Sequence, residues 1–164
     1  MILGLTQRLG ATLVKHGMMM VTAESCTGGG VGQAVTAVAG SSVWYERGFI
    51  TYSNAAKCEM LGVRQTTLEQ FGAVSLQTAQ EMVLGALNRS HAQAGVSVTG
   101  IAGPDGGTVS KPVGMVCFAW AIKNGSVQQQ THFFSGNREA VRQAAVTRAL
   151  QGLLELLDHQ QTFA

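Results

Sequence analysis

Charge is scarce in this chain: 11 Lys plus Arg stand against 9 Asp plus Glu in 164 residues, for a formal net charge of +2 with no basic run. That excludes the electrostatic footprint of a nucleic-acid-binding protein, in which Lys and Arg cluster to meet phosphates. Cysteine is equally sparse. Cys26, Cys58 and Cys117 are odd in number and have no C-x-x-C spacing, which argues against a disulfide framework or zinc site and predicts reduced thiols in a cytoplasmic protein. His16, His91, His132 and His159 are scattered without ligand spacing, so they are assigned structural or surface roles and no metal is expected. No apolar run approaches the roughly 20 residues needed to cross a bilayer, so no membrane partner is expected. The amino end reads as an amphipathic core helix, with Ile2, Leu5, Leu9 and Leu13 at helical intervals and Arg8 and Lys15 between them, and not as a signal peptide.

What is present is apolar residue and glycine. A hydrophobic content of 46% and 21 glycines describe a compact globule with many tight turns, read as a single domain over 1–164. The pattern predicts a helix over 2–16, a strand over 18–24, a helix over 29–38 and a strand over 47–53. Asn54 is a candidate N-cap for a short helix ended by Gly62; after a loop, Ser75 can cap a helix running to Asn88. A strand follows over 94–99. Strands over 113–122 and 127–134 are joined by Asn124-Gly125, a strong hairpin signal. Asn137 can cap a last helix with Val141, Ala145, Ala149, Leu153 and Leu156 on one face. Alternation early and a hairpin late predict a three-layer α/β/α sandwich with a mixed, mostly parallel sheet.

Chemistry concentrates at the ends of the predicted strands, where open α/β sheets bind ligands. Ala23-Glu24-Ser25-Cys26-Thr27-Gly28-Gly29-Gly30 places a hydroxyl, a carboxylate and unhindered amides where a strand turns into a helix. Amides of Gly28, Gly29 and Gly30 at a helix start suit a phosphate or a developing oxyanion. The plainer alternative is a tight turn with Thr27 as an N-cap. The segment matches neither the P-loop nor the dinucleotide fingerprint, and it lacks the Gly-x-Ser-x-Gly elbow. Tyr52 ends a strand and Lys57 opens the next helix. A lysine removed from water loses proton affinity and can deprotonate a serine, so Ser25 and Lys57 form a candidate pair that must meet through tertiary structure. Cys26 is a rival nucleophile with no neighbouring histidine and is assigned a packing role. Thr99 and Gly100, at a second glycine-rich turn, could contact a carbonyl or ribose. Asp105 is assigned to a Pro-Asp-Gly turn. Arg138 and Arg142, one turn apart, could clamp phosphate or be solvated helix charges.

Taken together and in order, Ala23–Gly29, Ala39-Gly40-Ser41-Ser42, Gly48–Asn54, Lys57, Gly72–Ser75, Thr99–Gly107 and Lys111-Pro112-Val113-Gly114 closely resemble the CinA carboxyl-terminal domain family over nearly the whole chain. Two departures are Leu76, where proline is frequent, and Asn137, where Asp is frequent; neither touches the candidate site. The resemblance implies a similar sandwich fold. It also implies an amidase converting nicotinamide mononucleotide and water to nicotinate mononucleotide and ammonia in NAD recycling, without a cofactor. It implies Ser25 as nucleophile, Lys57 as its proton acceptor and Tyr52 as a hydrogen-bonding partner, with Thr99 and Gly100 on the substrate and Arg138 or Arg142 near the phosphate. Larger relatives carry an amino-terminal module similar to molybdopterin-binding proteins, which is not seen here and favours a self-contained amidase. The rival expectation is a nucleotide-binding or regulatory module that has lost turnover. The expected partner is thus a small pyridine nucleotide, and apolar helix surface suggests a homo-oligomer.

Overall fold

The computed structural model describes residues 2–162. In chain order the elements are α1 (Ile2–Lys15), β1 (Met20–Glu24), α2 (Gly30–Thr36), a 3-10 turn (Ser41–Val43), β2 (Tyr45–Ile50), α3 (Asn54–Leu61), α4 (Gln65–Phe71), α5 (Leu76–Asn88), β3 (Ala94–Gly100), β4 (Met115–Ile122), β5 (Val127–Phe133) and α6 (Arg138–Thr162). The strands form one five-stranded sheet in the order β2-β1-β3-β4-β5. β1 pairs in parallel with both β2 and β3, and the β3-β4 and β4-β5 pairings are antiparallel, so β4 alone runs against the other strands.

Strand alternation sends successive side chains to opposite faces, and the two buried clusters follow it. Met20, Val96, Val98, Val116, Phe118 and Trp120 pack against Leu9 and Leu13 of α1, Val31 and Val35 of α2, and the Val141, Ala145, Ala149, Leu153, Leu156 stripe of α6. On the other face Val21, Ala23, Cys117, Ala119 and Ala121 meet Leu61 of α3, Leu68 of α4 and the Ala79, Met82, Val83, Ala86 face of α5. Helices therefore cover both faces of the mixed sheet, as the pattern predicts.

Several boundaries move for local reasons. Gly29 holds φ 101, a left-handed conformation, so α2 starts at Gly30 and not at 29. β2 is displaced towards the N-terminus of the expected 47–53. Ser53, not Asn54, caps α3: its backbone is extended and its Oγ accepts from the Ala56 N–H at 3.0 Å. Ser75 and Asn137 do cap their helices, accepting from the N–H groups of Thr78 and Ala140. α4 lies in the segment expected to be a loop. Its sequence has little apolar periodicity, and it is held from outside by Glu81 of α5, which accepts from Thr67 Oγ1 at 2.6 Å and from Arg64.

α5 approaches the end of α3 so closely that a Cβ on Gly85 would lie 1.9 Å from the Leu61 carbonyl oxygen. Gly85→Ala is therefore expected to lower stability by about 1–3 kcal/mol, as overpacking does. Denaturant unfolding followed by the fluorescence of buried Trp44 and Trp120 will measure it.

Candidate active site

The consecutive residues Glu24 and Ser25 leave the end of β1 on opposite sides of the sheet. Glu24 is 2% exposed and turns to the α2 side. Its Oε1 accepts from Thr27 Oγ1 at 2.5 Å, from the Gly29 N–H at 3.2 Å and from the Val31 N–H at 2.9 Å, while Oε2 accepts from the Gly32 N–H at 3.0 Å. One carboxylate thus satisfies donors that the start of α2 would otherwise leave unpaired, with favourable charge for a helix N-terminus. The Gly28 N–H donates to Ser25 O and the Gly30 N–H to Thr27 O. This corrects the expected role of Gly28, Gly29 and Gly30: their amides are bonded within the loop and form no open anion cradle. Thr27 likewise donates to Glu24 and does not cap the helix. The signal for Glu24 was a carboxylate ending a strand just before a glycine-opened helix.

Ser25 turns to the α3 side and meets Lys57. The two side chains are 3.0 Å apart, Oγ to Nζ. Lys57 is 1% exposed, and its Nζ also donates to the carbonyl oxygens of Thr51 at 3.0 Å and Tyr52 at 3.3 Å. Burial lowers the proton affinity of this amine from its ordinary value. Nζ thus donates to three oxygens, those of Ser25, Thr51 and Tyr52, and the lowered proton affinity shifts this amine towards its neutral form. Cys26, beside Ser25, is buried in the α2/α6 core, and burial pushes its thiol up to about 12. At neutral pH it is not a thiolate, which agrees with a packing role.

Ser25 and Lys57 open into a cavity of about 170 Å³, also lined by Tyr52, Asn54, Val74, Thr99, Gly100 and Arg138. The expected residues occupy distinct places around it. Tyr52 contributes its carbonyl to Lys57, whereas its exposed phenol accepts from Arg138 at 3.2 Å. Thr99 Oγ1 donates to Ala73 O at 2.8 Å, tying β3 to the α4-α5 connection. Gly100 pairs with Val116 in register, while the Ile101 N–H donates to Met115 O. By the alternation of an antiparallel pair the Gly100 N–H then faces away from β4, towards the end of β1. A side chain there is prevented by β4, since a Cβ would lie 2.7 Å from Val116 Cγ2 and 2.9 Å from Met115 O.

The two arginines separate. Arg138 lines the Ser25–Lys57 cavity and is held by Gly103 O at 2.8 Å. Arg142 donates to Cys26 O and Thr27 O, both at 3.2 Å, and faces a different pocket between α2 and α6. It braces the Ser25 loop from behind. Among the described residues no group of three or more His, Cys, Asp or Glu side chains is placed to hold a metal ion. No described helix is long and apolar enough to cross a membrane.

Comparison with known proteins places this geometry in context. The family model described as CinA C-terminal domain matches residues 3–157. Nicotinamide-nucleotide amidohydrolase PncC of Enterobacter agglomerans is 54% identical over 150 residues, covering 92% of each chain. The protein of the same name from Escherichia coli strain K12 is 52% identical over 149 residues, covering 91% of this chain and 90% of that one. A solved structure, the competence/damage inducible protein CihA from Agrobacterium tumefaciens, superposes with a TM-score of 0.92 at 48% identity, covering 94% of each chain.

Because one carboxylate organises the whole loop, Glu24→Gln replaces an acceptor by a donor that faces backbone N–H groups. We expect about 2–3 kcal/mol of lost stability, read as a lower thermal unfolding midpoint.

Proposed function

The chain belongs to the CinA C-terminal domain family, and on that premise we propose that it is a cytoplasmic nicotinamide-nucleotide amidase, hydrolysing nicotinamide mononucleotide to nicotinate mononucleotide and ammonia. The observation that carries this reading is the buried 3.0 Å approach of Ser25 Oγ to Lys57 Nζ at the wall of a cavity. The names of the similar amidohydrolases support a nicotinamide nucleotide as the substrate class.

The neutral Lys57 amine takes the Ser25 proton as Oγ attacks the carboxamide carbon, giving a tetrahedral intermediate. The Gly100 N–H, turned from β4 into the site, is a donor for its oxyanion, and the Cys26 N–H, next in the chain to the nucleophile, is a second. Each such donor is worth about 3–4 kcal/mol of barrier. Collapse of the intermediate breaks the carbon–nitrogen bond, and Lys57 returns its proton to the nitrogen, which departs as ammonia. Water, deprotonated in turn by Lys57, then attacks the acyl-serine; the acid is released and Ser25 regains its proton.

A cavity of about 170 Å³ is smaller than the ~300–1,000 Å³ of ordinary ligand sites. It suits the carboxamide-bearing ring, and the phosphoribosyl part extends past its mouth. Arg138, at the rim beside Tyr52, is the arginine for the phosphate.

Purified protein given nicotinamide mononucleotide should release equimolar ammonia and the acid, and Ser25→Ala should reduce the rate by more than ~10³-fold. An acyl adduct on Ser25 in quenched turnovers is expected by mass spectrometry. Binding without product would favour the silent nucleotide-binding module. A water-activating mechanism predicts turnover with no adduct.

pH provides a separate check. Only deprotonated Lys57 accepts the serine proton, so kcat/KM should rise with pH through a Lys57 midpoint lying below the ordinary ~10.4. The same lowered affinity means that the unfolded chain binds the extra proton between that midpoint and ~10.4. The stability of the wild type relative to Lys57→Met should therefore increase with pH across that window. It should be flat below it.

A further inference from the structure

Two motif segments, Gly72–Ser75 and Lys111–Gly114, supply no group to the proton transfers above, and the fold brings them together. Lys111 is half-buried, and its Nζ donates to the carbonyl oxygen of Phe71, the last residue of α4. A helix end leaves such carbonyls without intrahelical partners and favours a cation beside them. Gly72 makes room for the amine: it holds φ 81, and a Cβ there would lie 2.8 Å from Nζ. The lysine is itself seated by a reciprocal pair with Thr108, whose Oγ1 accepts from the Lys111 N–H at 3.1 Å and whose N–H donates to Lys111 O at 2.8 Å.

The next two carbonyls are held in the same way. Gly72 O accepts from Ser75 Oγ at 2.9 Å and from Thr78 Oγ1 at 2.7 Å, and Ala73 O accepts from Thr99 Oγ1 at 2.8 Å. Three successive carbonyls are thus gripped by side chains from the start of α5, from β3 and from the loop 101–114. The residues they fix, Ala73 and Val74, form an apolar wall of the Ser25–Lys57 cavity, which Lys111 itself does not line.

We propose that Lys111 is a positioning residue for substrate binding, pinning the α4-α5 connection so that Val74 packs against the nicotinamide ring. The inference rests on the amidase reading above. Ser25 and Lys57 are held by groups that follow β1 and β2, and Lys111 bonds to none of them. Releasing the clamp therefore loosens the wall for bound substrate and transition state alike, since the ring is not the reacting group. Loss of such uniform binding raises KM and leaves kcat unchanged.

The test is steady-state hydrolysis of nicotinamide mononucleotide by the full chain and its variants. Lys111→Met, which keeps the stem and removes the donor, should raise KM about fivefold, the worth of one hydrogen bond, with kcat within about twofold of wild type. Lys111→Arg keeps a cationic donor and should restore KM to within about twofold. Val74→Ala should also raise KM, and because Lys111 acts through that wall, the effect of Lys111→Met should shrink in the Val74→Ala background. Two effects that simply multiply would show that Lys111 acts elsewhere and would overturn the assignment. A fall in kcat alone, or a Lys111→Met KM within about twofold of wild type, would overturn it too. In each of these cases product still forms, and the amidase reading stands. Absence of turnover by the wild type would overturn both.

Discussion

Burial of Lys57 is the constraint on which the rest of the site depends. A primary amine that is 1% exposed, with no carboxylate paired to it among the described residues, is costly to keep charged. The fold resolves this by lowering its proton affinity and by presenting two carbonyl oxygens and one hydroxyl. Those partners fix the position of the nitrogen. The carbonyls come from Thr51 and Tyr52, immediately after β2, and the hydroxyl from Ser25, immediately after β1. The parallel pairing of β1 with β2 sets the distance between them; it is extended one step by the Thr51 N–H donating to Glu24 O.

The second element is a division of labour between adjacent residues. Strand alternation gives Glu24 to the α2 side and Ser25 to the α3 side. One holds the loop through four hydrogen bonds; the other meets the amine. Arg142 braces the same loop by its carbonyls, so a carboxylate grips the N–H groups while a guanidinium grips the oxygens. Ser25 is therefore presented from a loop whose polar groups are largely bonded internally, an arrangement that fixes the position of its hydroxyl.

Much of this was legible in the sequence, for identifiable reasons. The hairpin at Asn124-Gly125 and the apolar stripe of α6 are local patterns whose period directly encodes their structure. α4 was not legible, because it is held by Glu81 from another helix and has little apolar pattern of its own. Ser53 and Asn54 are both good capping types, and only the backbone angles assign the cap of α3 to Ser53. The sequence displays Glu24 without showing that its side chain folds back over the amides at the start of α2.

Residue types and order determined, without any coordinates, that a serine, a lysine and two glycine-rich turns lie at strand ends of an α/β sheet, because hydrophobic periodicity places the strands and ligands gather beyond them. Only the tertiary structure decided which groups meet. Ser25 and Lys57 are 32 positions apart and are joined by strand pairing. Arg138 and Arg142, one turn apart on a single helix, reach different pockets because different partners hold them, Gly103 O for one and Cys26 O and Thr27 O for the other. Contacts across long stretches of chain depend on packing and register, and neither is written in local spacing.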